Sequence, residues 1–262
     1  MVVVDPDGRS RPVALATITG DPVAWSSDGS ELLISDAPRL EVLGIGGRER
    51  MVARDANFGR ASFTPDGREV VYVDKDSVIR EVSVLGGRAR AIAGGNATPT
   101  GYGGLALSLG GTRIAYGRAG NTVFPRSVWV MNANGTGRHV LVPEARLNRL
   151  AGNPVTETAD VCWSPDGSQL AFTASTGNAT QSSVFTVNAD GTGLRRLTPM
   201  ATRIWGASWS PDGRRLASMS AGREVISIRT DGTHIRALGY RSLTWGPPAW
   251  NPARPVVTPP HG

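Results

Sequence analysis

One short phrase recurs along the chain and constrains its fold more than any other feature: a large residue, a small polar residue, often proline, then Asp-Gly. It reads Trp25-Ser26-Ser27-Asp28-Gly29, Phe63-Thr64-Pro65-Asp66-Gly67, Leu107-Ser108-Leu109-Gly110-Gly111, Trp163-Ser164-Pro165-Asp166-Gly167, Trp209-Ser210-Pro211-Asp212-Gly213 and Trp250-Asn251-Pro252-Ala253-Arg254. Successive copies are 38, 44, 56, 46 and 41 residues apart. Self-similarity at such a period marks a repeat architecture, so six copies predict six structural units.

Each copy has the same physical grammar. Proline presets the backbone of a tight turn, and Asp-Gly tolerates its later positions. Short apolar runs flank it, such as Val161-Cys162-Trp163 before and Leu170-Ala171-Phe172 after, so the turn joins two strands. A second turn follows about 20 residues later, at Asp7-Gly8, Gly46-Gly47, Gly86-Gly87, Asn134-Gly135, Asp190-Gly191 and Asp231-Gly232. These dipeptides are hairpin formers, and each unit is therefore expected to be a four-stranded meander, the blade of a β-propeller.

The chain opens with the second phrase and closes with the first. Counting from Trp250 through the terminus and on to Trp25 gives 37 residues, a normal unit. The expectation is an all-β, single-domain, six-bladed propeller, with N-terminal strands pairing with C-terminal strands in one blade, a closure that removes open edges. The blades are predicted at about 21–55, 59–95, 103–143, 158–198, 204–239, and 245–262 joined to 1–20.

The Trp-Ser-Pro-Asp-Gly-x-x-Leu-Ala pattern, with Asn-Ala-Asp-Gly-Thr-Gly some 25 residues on, resembles the WD40-like PD40 repeats of the TolB-type six-bladed β-propeller. The resemblance covers essentially the whole chain. Residues 163–172 with 187–193 and 209–217 with 228–233 match best; the Leu107 copy lacks Pro and Asp, and the Trp250 copy lacks Asp and Gly. The resemblance implies the propeller module alone, protein or peptide partners, and a periplasmic or other extracytoplasmic setting.

Catalytic signatures are few. There is no Gly-x-Ser-x-Gly elbow and no Gly-Lys-Ser/Thr phosphate loop. His139, His234 and His261 are scattered, so no metal site and no cofactor are expected. Cys162 is the sole cysteine; it aligns with Ala24, Ser62, Ala106, Ser208 and Ala249, a small position beside the anchor, and reads as packing. No run of 18 apolar residues predicts a membrane span, and no stretch has signal-peptide form. The chain reads as a monomer, either self-standing or a module cut from a longer protein.

Ligands of closed β architectures sit at their mouths. The segments leading into the inner strands place Asp21, Phe58, Arg60, Tyr102, Glu157, Asp160, Arg203, Trp205 and Trp245 there as candidate binding residues. Phe58, Tyr102, Trp205 and Trp245 each precede Gly and read either as a recognition ring or as wedges between blades. The long connections at 118–126, 143–160 and 174–182 are expected on the same rim, with 143–160 as a lid. Two functions follow: a non-catalytic scaffold for a protein or peptide, or a channel enzyme of lyase or hydrolase type, or sensor, with Glu157 or Asp160 as acid or base.

The net charge is +6, and 27 of the 28 basic residues are arginine. Many follow the hairpin turns. They read as guards of the outer strands against edge pairing, or as a basic surface for nucleic acid or another polyanion.

Overall fold

The computed structural model describes residues 2–3, 13–14, 20–44, 46–94, 104–118, 126–177, 180–200, 203–241 and 250. A short hairpin comes first, β1 (Val2–Val3) with β2 (Val13–Ala14). Five antiparallel four-stranded sheets follow, each in simple meander order. Blade one is β3 (Asp21–Trp25), β4 (Glu31–Asp36), β5 (Arg39–Gly44) and β6 (Glu49–Ala53). Blade two is β7 (Ala56–Phe63), β8 (Glu69–Asp74), β9 (Ile79–Ser83) and β10 (Arg90–Ala93). Blade three is β11 (Leu105–Leu107), β12 (Arg113–Arg118), β13 (Ser127–Asn132) and β14 (His139–Val142). Helix α1 (Glu144–Ala151) leads to blade four, β15 (Val155–Trp163), β16 (Gln169–Thr176), β17 (Gln181–Asn188) and β18 (Arg195–Arg196). Blade five is β19 (Ile204–Trp209), β20 (Arg215–Ser220), β21 (Glu224–Arg229) and β22 (Ile235–Arg241).

The chain is thus an all-β propeller of four-stranded blades, with five blades among the described residues where six were expected. The inner strands of the sixth fall at 245–262, outside the described residues except for Trp250. The outer strands expected for it at 1–20 correspond to the β1–β2 pair, with Val2 opposite Ala14 and Val3 opposite Val13.

The Asp-Gly turns form as the residues dictate. Asp166 Oδ1 accepts from Ser164 Oγ at 2.6 Å and Ser168 N at 3.0 Å, while Gly167 N donates to Ser164 O at 2.9 Å. The Leu107 copy, without Pro or Asp, makes the same backbone turn: Gly111 N donates to Ser108 O and Ser108 N to Arg113 O, both at 2.8 Å. Its missing carboxylate is local reinforcement; the ladder between β11 and β12 fixes the turn.

Blades are joined by two repeated devices. The anchor tryptophans wedge between neighbours: Trp163 Nε1 donates to Ala106 O at 3.2 Å and Trp209 Nε1 to Cys162 O at 3.3 Å. Each bond joins an indole to the small position beside the preceding blade's anchor, satisfying a buried donor at a net gain of about 1 kcal/mol. On the outside, a glycine of the second turn in blades two to five, Gly86, Gly135, Gly191 and Gly232, abuts the outer edge of the blade before it. A Cβ on Gly135 would meet Ile92 O at 2.6 Å, so only glycine permits that approach. The apolar core is correspondingly a set of layers between sheets, Phe63, Val70 and Tyr72 with Leu33 and Val42 in one, Trp209 and Leu216 with Ala171 and Val184 in another.

The connection at 143–160 is not an open lid. Pro143 precedes α1 in extended conformation, and Gly152 ends the helix with φ 78°, its N–H donating to Asn148 O. Leu147 and Ala151 are buried in the layer between blades three and four, and the Arg146 guanidinium donates to Gly191 O in blade four's outer turn. β15 then begins at Val155, whose N–H donates to Asn148 Oδ1 at 2.7 Å. The 174–182 stretch is also mostly strand, in β16 and β17; within 118–126 only Arg118 and Arg126 lie among the described residues.

Candidate functional site

The inner strands β3, β7, β11, β15 and β19 pack on one another in that order and ring the axis. The ladder of four of them slips shortly before the anchor: between Pro22 and Ala24, between Ala56 and Ala61, between Ala159 and Cys162, and between Trp205 and Ser208. Such bulges re-aim the chain at the rim of a closed sheet. Three places before the anchor stand Gly104, Asp160 and Gly206 in blades three, four and five. A Cβ on Gly104 would lie 2.6 Å from Val161 N, so β11 runs tight against the bulge of β15.

Asp160 adopts a left-handed conformation, φ 54°, which Asp tolerates better than most residues. Its Oδ2 accepts from Gly206 N at 2.8 Å and from Thr173 Oγ1 at 2.9 Å. Those bonds favour the carboxylate, but burial outweighs them and pushes the Asp160 carboxyl above its usual range. Among the described residues nothing donates to Oδ1. Beside Gly206, Trp205 is half-buried, and the exposed Arg203 guanidinium lies with Cζ 5.7 Å from the Trp205 ring centroid, a cation–π stack.

Of the residues predicted at the mouth, the fold therefore brings Asp160, Arg203 and Trp205 together across the junction of blades four and five. Glu157 lies on the same strand as Asp160, half-buried, opposite Ser175. Asp21 heads β3 opposite Ser35 in blade one, on a strand that packs against β7 and not beside this group. Phe58 and Arg60 belong to β7, where their backbone alone is described, and Tyr102 and Trp245 lie outside the described residues.

Sequence reasoning missed Thr173, the buried donor that fixes Asp160; its alignment opposite Ala159 is set only when β15 and β16 pair. Cys162 is as expected a packing residue, its Sγ donating to Ala207 O at 3.0 Å, and burial drives its thiol pKa up, away from reactivity. Among the described residues no three His, Cys, Asp or Glu side chains gather as a metal site, and no helix is long and apolar enough to cross a membrane. The turn arginines divide: Arg50 pairs with Glu31 at 2.7 Å, Arg90 pairs with Glu81, and Arg113 stacks on Trp163, whereas Arg48, Arg68, Arg88, Arg138 and Arg214 are exposed.

Comparison with known proteins agrees with this fold. No protein-family model matches the chain. Among solved structures, a protein from Agrobacterium tumefaciens described as a TolB superposes with TM-score 0.73 at 21% identity, over 96% of this chain and 92% of that one. A propeller in a nidogen/laminin complex gives 0.65 at 17% identity, over 84% and 80%. An oligogalacturonate lyase in complex with manganese gives 0.59 at 17% identity, over 83% and 65%. Dipeptidyl-peptidase 5 of Porphyromonas gingivalis is 32% identical over 90 residues, a stretch that is 32% of this chain and only 12% of that protein. The fold is a TolB-like β-propeller.

Proposed function

We propose that the chain is a non-catalytic binding platform that recognises a protein or peptide through the mouth of a closed six-bladed ring. Closure is supported by Trp250, whose Nε1 donates to Ser208 O at 3.0 Å. This repeats the Trp163–Ala106 and Trp209–Cys162 bonds one sector further on, so Trp250 is the anchor of a sixth inner strand lying on β19. β1 and β2 supply the outer strands of that blade, and the ring needs no second copy to cover an edge.

The observation that carries the binding role is the Arg203–Trp205 stack beside Asp160: an aromatic, a guanidinium and a carboxylate with a spare oxygen at one point of the rim, the residue types of binding hot spots. Asp21, Phe58, Arg60, Tyr102, Glu157 and Trp245 complete the same mouth in this reading. TolB-like folds and the propeller of a nidogen/laminin complex support protein partners, and the former supports an extracytoplasmic setting. An Arg203→Ala, Trp205→Ala double variant tests it: immobilised beside the native chain in extract of the source organism, it should lose the proteins the native chain retains. Identical captured sets would refute the reading.

A second reading, a lyase, is favoured by the raised Asp160 pKa and the fold shared with an oligogalacturonate lyase. Here Asp160 would be the acid or base. Turnover of oligogalacturonate, followed by absorbance of the unsaturated product and lost in Asp160→Asn, would replace the platform with the enzyme.

A further inference from the structure

The repeat allows one crevice to be read from its neighbour. Between blades three and four, Arg113, at the start of β12, reaches across to the next blade. Its guanidinium lies over the Trp163 ring with Cζ 4.6 Å from the centroid, and Nη2 donates to Gly167 O at 3.3 Å. Six residues separate Arg113 from its own anchor, Leu107, and four separate Gly167 from Trp163.

Moving one blade on, the same three places are Gln169, Trp209 and Gly213. Gln169 is shorter, and its side chain turns across its own sheet, Nε2 donating to Asn188 Oδ1 at 3.0 Å. At the matching junction lies a cavity of about 360 Å³, lined by Gln169, Trp209 and Gly213 and flanked by Asp166 and Asp212. Serine hydroxyls and backbone N–H groups of its turn hold Asp166 below the usual carboxylate range, so it is ionised at neutral pH. Asp212 uses Oδ1 for Ser210 and Arg214 N, and among the described residues its Oδ2 has no partner.

We infer that this crevice is a receptor for the guanidinium of an arginine side chain on a polypeptide partner. The ring of Trp209, the carbonyl of Gly213 and two carboxylates present what a guanidinium takes: a π face, a planar acceptor and opposite charge. The chain itself demonstrates the fit, because the equivalent ring and carbonyl already hold Arg113. The crevice is formed by the Asp-Gly turns, at the opposite end of the inner strands from the proposed mouth, so the two sites are separable.

The probe is the peptide acetyl-Gly-Arg-Gly-amide, with its citrulline and lysine counterparts and guanidinium chloride, titrated into ¹⁵N-labelled full chain and read at indole and backbone resonances. The arginine peptide should shift Trp209 Nε1–H and Gly213 N–H saturably, with the citrulline peptide at least ~tenfold weaker for lack of charge. Gln169→Arg should fill the crevice from within and abolish the shifts. The reciprocal Arg113→Gln should create a new response at Trp163 and Gly167. Arg203→Ala with Trp205→Ala should leave the titration unchanged, which separates this site from the mouth.

An unmoved Trp209 resonance, or a Gln169→Arg chain that binds as well as native, overturns the inference. Equal response to the lysine peptide overturns guanidinium recognition, and equal response to guanidinium chloride overturns the polypeptide source.

Discussion

Two junctions of this propeller, blades three–four and four–five, are built on the same phrase and end in different states. The first is sealed twice: Arg113 covers Trp163, and α1 inserts Leu147 and Ala151 into the apolar layer. The second has neither; Gln169 bonds Asn188 across its own sheet, and the junction is tied by hydrogen bonds, Gly206 N donating to Asp160, Cys162 to Ala207 O and Ser182 to Ile204 O. Repetition supplies the frame, and a change at one position in it converts a structural contact into an open site. The junction without these two seals is also the one where Asp160, Arg203 and Trp205 meet.

The comparison breaks most readily at α1. Leu147→Ala should cost about 2–5 kcal/mol in urea unfolding, because the helix belongs to the core; an effect near zero would restore the connection to a free lid. Next, Arg113→Ala should cost about 1 kcal/mol, while Gln169→Ala stays within about 0.5 kcal/mol. Equal costs would erase the difference between the junctions. Gln169→Arg should gain about 0.5 kcal/mol if the second crevice accepts an arginine as the first does.

The smallest effect concerns Asp160. A carboxyl whose folded pKa lies above its unfolded value contributes fully below the unfolded pKa, and that contribution is lost as pH rises through the folded value. Asp160→Asn keeps an acceptor for Gly206 N and Thr173 Oγ1 and also tolerates φ 54°. Its stability relative to native should therefore improve between pH 4 and pH 7, followed by melting temperature. A relative loss over that window would mean that the ionised carboxylate is the form the junction prefers.

Much of this was legible in the residues. The hairpins follow from Asp-Gly turns between short apolar runs, and the small position beside each anchor was visible before its carbonyl was known to receive the next indole. The helix was hidden because a connection was read by length alone, although Leu147 and Ala151 four apart and Gly152 after them are helix signals. The partnership of Asp160 with Thr173 and Gly206 joins two strands of one blade to a third in the next, a relation fixed by packing and absent from any local pattern. The arginine slot lay between: Arg113 and Gln169 occupy matching places in the repeat, but only their different directions give the difference meaning.

The central claim is that the ring closes through the chain ends in a sixth blade. With Cys162→Ser as background, spin labels at Ser10→Cys and Val256→Cys would report their separation by pulsed electron resonance. Adjacent strands lie about 4.8 Å apart, so one shared four-stranded blade predicts a single narrow distance within about 25 Å, label arms included. A broad distribution, or a distance characteristic of separate sheets, would contradict the account.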